Sequence, residues 1–115
     1  MKLSSLASSS EGNCIYVGTQ KTNLLVDCGV SAKRIENSLS ELDLTVPEFD
    51  GILITHEHTD HIKGLGVIAR RYGLPIFATG KTIDAIFDYK NLGKVDKSLF
   101  HSIEAVSYTH LRAHE

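Results

Sequence analysis

The sequence predicts an α/β protein in which strands and helices alternate along a single domain. Short runs rich in β-forming apolar residues alternate with segments whose apolar residues recur at helical spacing. Their order, β-β-α-β-α-β-α, is typical of a layered α/β fold. The chain has 115 residues, 42% of them hydrophobic, and contains no long apolar run. Complete domains built from two sheets and flanking helices usually need about 200–250 residues.

The N-terminal part of the chain is predicted to form strands. We expect a short strand over residues 1–6, a small-residue loop over residues 8–13 and a strand over residues 14–17. A turn over residues 18–21 leads into a returning strand over residues 23–28. The near-continuous apolar run of this last strand predicts burial on both of its faces.

The rest of the chain is predicted to alternate helices with short buried strands. Ser31 is a good N-cap for the first helix, in which Ile35, Leu39 and Leu42 recur at helical spacing. Gly73 is expected to end the second helix. The predicted helices cover residues 32–42, 62–72 and 82–89, and the predicted strands cover residues 52–55 and 75–79.

Composition narrows the class of protein only modestly. No segment is apolar enough to span a membrane, and the N-terminus lacks the sustained apolar stretch of a signal peptide, so we expect a cytoplasmic protein. The net charge of -2 gives no indication of a nucleic-acid partner. Cys14 and Cys28 lie in apolar segments and are interpreted as buried thiols. A disulfide is an alternative, and metal binding is another, although neither cysteine belongs to a Cys-x-x-Cys pair.

A histidine-rich motif, THEHTDH, occupies residues 55–61 and follows a predicted strand. His56 and His58 are two residues apart in extended backbone, so both imidazoles point the same way and can reach one ion. Asp60 and His61 follow where the chain turns into a helix, and they can bind a second ion nearby. Two metals about 3.5–4 Å apart can activate a bridging water and hold the oxygens of a displacement. The motif therefore predicts a dinuclear metal site for hydrolysis.

Two other interpretations of the motif remain open. One is a surface cluster of histidines without metal, although three histidines and one aspartate between a buried strand and a helix favour metal binding. The other is a purely structural zinc site. Such sites usually close with cysteines, and the sequence has none near the motif.

The pattern His-x-His-x-Asp-His after a hydrophobic strand resembles the signature of the metallo-β-lactamase superfamily. The resemblance implies that His56 and His58 bind one metal and that Asp60 and His61 bind the second, with two Zn²⁺ ions, or Mn²⁺, per complete domain. Asp27 matches an aspartate that supports the metal loop by hydrogen bonds without binding metal itself. The implied fold is the N-terminal half of an αββα sandwich, a truncated mixed sheet with flanking helices.

A finer resemblance, over nearly all of residues 1–105, is to the YycJ/WalJ (VicX) branch of that superfamily. The stretches that carry it are residues 8–14, 27–29, 31–35 and 60–65. Members are bacterial cytoplasmic nucleases with 5′-to-3′ exonuclease activity on DNA and a link to mismatch repair. The resemblance implies a phosphodiesterase in which a hydroxide held by two metals attacks a DNA substrate, with Asp60 as the catalytic carboxylate that binds and orients the second metal. It implies no membrane partner.

The superfamily pattern also needs a third histidine for the first metal, a bridging aspartate and a last histidine. All three are expected downstream of this chain. His101 falls before the expected second sheet and is interpreted as a surface histidine rather than the third ligand. Residues 1–105 are therefore interpreted as an N-terminal fragment that is itself inactive.

Residues 106–115 are interpreted as foreign to the protein. The transposase adapter used in shotgun library preparation, translated in one frame, gives these residues in order, and its two preceding bases would complete the codon of Ala105. This interpretation removes His110 and His114 from the candidate ligands. The alternative is a native amphipathic segment with two functional histidines.

Two further functions stay open at this stage. One is hydrolysis of a thioester, lactone or lactam, which other branches of the superfamily perform with the same histidine motif. The other is a regulatory metal-binding protein linked to cell-wall two-component signalling. A thioester, lactone or lactam hydrolase would differ from a nuclease in the downstream half, where nucleases tend to carry phosphate-contacting histidine or basic loops.

Overall fold

The computed structural model of the chain describes residues 1–9 and 12–103, and these residues form a six-stranded sheet with helices packed against it. The strands are β1 (Lys2–Ser9), β2 (Gly12–Gly18), β3 (Asn23–Val26), β4 (Gly51–Leu53), β5 (Ile76–Ala78) and β6 (Phe100–Ser102). The helices are α1 (Ala32–Glu41), α2 (Thr59–Ile62), α3 (Leu65–Tyr72) and α4 (Gly80–Phe87), with short 3₁₀ turns at Val46–Glu48, Lys90–Leu92 and Lys97–Leu99. The predicted α/β class is confirmed.

The sheet is mixed, and its strands lie in the order in which the chain makes them. β1, β2 and β3 pair antiparallel, whereas β3, β4, β5 and β6 pair parallel. Parallel neighbours need crossover connections, and the helices occupy these connections. Because β3 and β4 run in the same direction, the residues that follow them meet at one edge of the sheet. Asp27, directly after β3, donates its backbone N–H to the Leu53 carbonyl at 2.8 Å.

The main core lies between the helices and one face of the sheet. Leu25, Ile52 and Ile76 are paired across three strands and are fully buried. The helix residues in the same core cluster include Ile35, Leu39, Leu65, Ile68 and Ile86, all fully buried. Alternate residues of a strand point to opposite faces, so these apolar helix faces define which side of the sheet is covered.

The other face of the sheet carries a second apolar row that is only half-buried. Ile15, Val26, Leu53 and Phe77 are register partners across four strands, so they share this face. The prediction that β3 is buried on both faces is therefore wrong for these residues. The strand is apolar on both faces, but the described helices pack against the opposite side.

Several predicted boundaries differ from the structure; for example, the strand expected over residues 23–28 ends at Val26, and the helix expected over residues 82–89 spans Gly80–Phe87. The loop expected over residues 8–13 is shorter, because β1 runs to Ser9 and β2 begins at Gly12; residues 10 and 11 lie outside the described part. The helix expected over residues 62–72 starts earlier, at Thr59, and is interrupted after Ile62. The interruption has a tertiary cause, since the Gly64 N–H donates to the Cys28 carbonyl at 2.8 Å and holds the chain at the end of the sheet.

Both predicted caps are confirmed. The Ser31 hydroxyl accepts the Arg34 N–H at 3.3 Å at the start of α1. Gly73 follows α3 in the left-handed conformation, with φ of 66°, and donates its N–H to the Ala69 carbonyl. Both caps can be predicted from the sequence because a cap depends on residues only a few positions away.

The strand β6 was not predicted. It pairs in parallel with β5, and His101 on it is exposed and stacks on Phe77 with ring centroids 5.4 Å apart. An exposed position agrees with the interpretation of His101 as a surface histidine. Residues 106–115, with His110 and His114, lie outside the described residues. Among residues 1–9 and 12–103, no helix has the length and apolar character needed to cross a membrane.

Candidate metal centre

Asp27 connects the segments that form the candidate site. It lies directly after β3 with φ of 66°, a left-handed conformation that aspartate tolerates better than most residues, and it is only 5% exposed. Its carboxylate accepts the Thr55 N–H at 2.8 Å and the Thr55 hydroxyl at 2.6 Å. The same carboxylate lies 2.8 Å from Nδ1 of His61. One buried side chain thereby joins the end of β3, the segment after β4 and helix α2.

These contacts orient the His61 ring. A carboxylate only accepts hydrogen bonds, so Nδ1 of His61 donates to Asp27. In the neutral ring this leaves the lone pair of Nε2 free, the form in which imidazole binds a metal. His61 Nε2 lies 3.5 Å from Oδ2 of Asp60. Ligand bonds of about 2.1 Å at the tetrahedral angle would place two donors of one ion about 3.4 Å apart. The pair therefore fits a shared metal ion.

Thr55 orients the ring of His56 in a similar way. The Thr55 hydroxyl gives its only hydrogen to Asp27, so it accepts from His56, whose Nδ1 lies 3.0 Å away. In the neutral ring this arrangement leaves the lone pair of Nε2 of His56 available to a metal. Thr55 was part of the sequence motif, but its role as a relay between Asp27 and His56 had no signal in the sequence.

The His56 and His58 rings are less closely arranged. Both side chains are exposed, and their ring centroids lie 6.1 Å apart. Two imidazoles on one tetrahedral ion would have centroids about 5 Å apart. Among the residues that the structure describes, no group of three or more His, Cys, Asp or Glu is arranged to hold one ion. The ring of His56 lies closer to that of His61, with centroids 4.8 Å apart, than to that of His58, so the predicted pairing of His56 with His58 on one ion is not seen in the ring positions, and metal binding stays a prediction.

Backbone contacts fix helix α2 against the loop that follows β3. The Cys28 N–H donates to the His61 carbonyl at 2.7 Å, and the Gly29 N–H donates to the Asn13 carbonyl at 2.8 Å. A Cβ added at Gly29 would overlap the Asp60 carbonyl oxygen, so only glycine permits this approach. The Asn13 amide lies 3.4 Å from that same oxygen and 3.5 Å from Oδ2 of Asp60. Asn13 is a second site residue that the sequence did not reveal.

The two cysteines do not take part in the predicted ligand set. Cys14 and Cys28 are free thiols, and both are fully buried. A hydrogen bond with Cys14, together with burial, raises the pKa of the Cys28 thiol. A neutral, inaccessible thiol is a poor metal ligand. The interpretation of both residues as buried thiols is confirmed.

The arrangement of a supporting aspartate after one strand and a histidine motif after the next can be compared with known families. The model of the metallo-beta-lactamase superfamily matches residues 10–94, which is well over half of the chain. The chain belongs to the metallo-beta-lactamase superfamily. The match spans Asp27 and the whole of the motif at residues 55–61, so the superfamily and the residues that suggested it agree.

Two curated relatives share about half of the aligned residues with this metallo-beta-lactamase chain. Exodeoxyribonuclease WalJ of Streptococcus pneumoniae is 50% identical over 103 residues, which cover 90% of this chain and 38% of that protein. Exodeoxyribonuclease YycJ of Bacillus anthracis is 51% identical over 86 residues, which cover 75% of this chain and 33% of that protein. The chain therefore spans less than two fifths of the length of these relatives.

Solved structures show the metallo-beta-lactamase fold at lower sequence identity. A B3 metallo-beta-lactamase with an active-site glutamic acid superposes with a TM-score of 0.69 at 16% identity, covering 83% of this chain and 40% of that chain. At this identity the likeness concerns the fold alone. It confirms the predicted fold, a mixed sheet with flanking helices that corresponds to part of the metallo-β-lactamase sandwich.

Proposed function

We propose that residues 1–105 are the N-terminal half of a metallo-β-lactamase domain and that residues 106–115 are translated adapter rather than native sequence. The short span relative to the curated relatives supports the first part. The four candidate ligands His56, His58, Asp60 and His61 support it too, because they make up only part of a dinuclear set. The remaining ligands would come from the downstream half. On this proposal the 115-residue chain alone is inactive.

We further propose that the complete protein is a cytoplasmic phosphodiesterase that degrades DNA as a 5′-to-3′ exonuclease. The observation that carries this proposal is the identity of 50% over 103 residues to a protein named exodeoxyribonuclease. The geometry at the sheet edge supports the metal-dependent part of the proposal, because Asp27 and Thr55 orient the rings of His61 and His56. No matching observation favours a thioester, lactone or lactam substrate.

The donor set fits divalent metals such as Zn²⁺ or Mn²⁺. Imidazole nitrogens and a carboxylate are ligands that suit both ions. His56 and His58 would hold one ion, and Asp60 and His61 the other. Metals bound there would supply Lewis acidity toward a phosphate oxygen and water activation. The chain's own residues supply alignment, since Asp27 orients His61, Thr55 orients His56, and Asn13 lies beside the Asp60 carboxylate.

The proposal predicts metal-dependent digestion of DNA by the complete protein. With Mn²⁺ or Zn²⁺ present, a duplex labelled at one 5′ end should be degraded from that end, and EDTA should abolish the reaction until metal is restored. The measurement is the release of labelled nucleotides over time, beside RNA, thioester and lactone substrates. Absence of DNA and RNA cleavage with both metals would refute the proposed function, and hydrolysis of a thioester or lactone instead would establish the alternative.

Replacing Asp27 with Asn is expected to weaken metal binding about 10–100-fold, the usual effect of losing a partner that orients a ligand. The substitution turns one carboxylate oxygen into an NH₂ group, which donates and cannot accept, so the three hydrogen bonds from Thr55 and His61 cannot all be kept. Where the NH₂ group faces His61, the proton of the neutral His61 ring is free to move to Nε2. Titration calorimetry of the complete protein with Zn²⁺ measures the effect. Asp84→Asn, at an exposed position on α4, is the matched control. Equal affinities of the two variants would contradict the role assigned to Asp27.

A further inference from the structure

A cleft of about 380 Å³ is lined by Val30, Ser31, Arg34 and Lys63. Its volume falls within the range of about 300–1,000 Å³ that is usual for ligand sites. No residue of the cleft belongs to the predicted ligand set. Its walls come from the loop after β3 with the start of α1, and from the residue that directly follows α2.

The cleft and the candidate metal centre share the same backbone segments. Lys63 is two residues beyond His61 and donates its N–H to the Thr59 carbonyl at 3.0 Å, which continues the turn of α2. Val30 follows the segment in which Cys28 hydrogen-bonds the His61 carbonyl and the Gly64 N–H. A Cβ added at Gly64 would overlap the Val30 carbonyl oxygen, so the two walls are in direct backbone contact. The cleft is therefore built on the same backbone segments that carry Asp60 and His61.

Two of the four residues that line the cleft are cations. Of the described residues that line it, Arg34 and Lys63 are cations and none is acidic, although the whole chain has a net charge of -2. Ser31 adds a hydroxyl, and Val30 is largely buried. A guanidinium and an ammonium facing one concave surface are suited to oxyanions, and arginine pairs with phosphate in a bidentate manner.

We propose that this cleft binds the phosphodiester backbone of the nucleic-acid strand whose bond lies at the metal centre. The inference rests on the proposed nuclease function and names the residues that would hold its substrate. Phosphate contacts position a strand without reading its sequence. Arg34 and Lys63 therefore act as positioning residues, which hold neighbouring phosphates so that the scissile one lies beside Asp60 and His61.

The test compares two double variants of the complete protein that each remove two positive charges. Arg34→Gln with Lys63→Gln empties the cleft of cations, whereas Lys33→Gln with Lys81→Gln removes two exposed lysines that do not line it. A fluorescent oligothymidine of 20 nucleotides is the probe, and its affinity is measured by anisotropy over a range of salt concentrations. Circular dichroism checks the fold, and Arg34→Lys with Lys63→Arg restores the charges.

The cleft variant is expected to bind the oligonucleotide roughly ten-fold or more weakly, and the slope of log affinity against log salt should fall by about 1.4, the value for two lost contacts to a single strand. For cleavage, KM should rise while kcat changes little, because binding common to substrate and transition state is lost. The control should keep the slope of the wild type, and the charge-restoring variant should regain it.

Three other results separate the possible failures. Equal slopes for the cleft variant and its control, with the wild type still cleaving DNA, would overturn the cleft proposal and leave the nuclease proposal standing. Binding that depends on Arg34 and Lys63 without cleavage of any nucleic acid would support the cleft and refute the nuclease function. The third result is displacement of the oligonucleotide by inorganic phosphate at constant ionic strength, or binding only of strands with a 5′ phosphate. Either would show that the cleft binds a single phosphate group rather than the phosphodiester backbone, and so overturn the proposal.

Discussion

Replacing His58 with Ala in the complete protein is expected to lower kcat for DNA cleavage on the order of 10³-fold, an effect comparable to the loss of a principal charge-stabilising group. His58 is one of the two nitrogen ligands that this chain is proposed to provide to the first metal. Its side chain is exposed and makes no capping hydrogen bond at the start of α2, so its removal should not disturb the fold. The measurement is the rate of nucleotide release with saturating Mn²⁺, together with the number of metal ions bound.

Glu57→Ala is the matched control for this variant. Glu57 lies between the two histidines, is exposed like them, and has no assigned role at the metal centre. The Glu57→Ala protein should retain the activity and the metal content of the wild type. Equal losses in the two variants would point to disturbance of the loop rather than removal of a ligand. Full activity of His58→Ala would exclude His58 from the ligand set. If the cellular phenotype survives while DNA cleavage is lost, the regulatory alternative gains support.

Replacing Gly29 with Ala is expected to destabilise the complete protein by about 3 kcal/mol or more, at the upper end of the usual cost of overpacking. The added Cβ would overlap the Asp60 carbonyl oxygen, which is a backbone atom and cannot rotate away. Relief requires α2 to move from the loop after β3, and this would break the hydrogen bond from Cys28 to His61. Zinc affinity should fall together with stability, because Asp60 and His61 move with the helix.

Gly73→Ala separates this steric effect from a conformational one. Gly73 has a positive φ of 66°, but an added Cβ would have no heavy atom within 4 Å. The expected cost is about 1–2 kcal/mol, from the left-handed conformation alone. Zinc affinity should not change. Urea unfolding compares the two variants, and a Gly29→Ala protein that is as stable as Gly73→Ala would show that α2 does not pack as described.

The sequence alone was sufficient for features that depend on neighbouring residues. The helical spacing of Ile35 and Leu39, the capping serine and the short apolar runs all reflect local periodicity, and the α/β class follows from them. The two-residue spacing of His56 and His58 is equally local. The assignment of Asp27 required resemblance to a family, because its partner Thr55 is 28 residues away in the chain.

Features that depend on tertiary packing could not be predicted from the sequence. β6 has only three residues, and its strand conformation comes from pairing with β5 rather than from a pattern of its own. The break after Ile62 exists because Gly64 finds a hydrogen-bond acceptor on Cys28, 36 residues earlier in the chain. The contact of Asn13 with Asp60 joins residues 47 positions apart. None of these distant pairs leaves a periodic signal in the sequence.

The hydrogen bonds of Asp27 have a consequence for how the motif should be studied outside the protein. They join Asp27 to Thr55 and to His61 across loops of 28 and 34 residues. Closing such loops carries an entropic cost that grows with the logarithm of loop length. The folding of the sheet offsets this cost before any ligand binds. A synthetic peptide of residues 55–61 would contain every proposed donor atom but not this prior ordering. Its imidazoles would exchange freely between tautomers, so such a peptide would reproduce the composition of the site without its preorganisation.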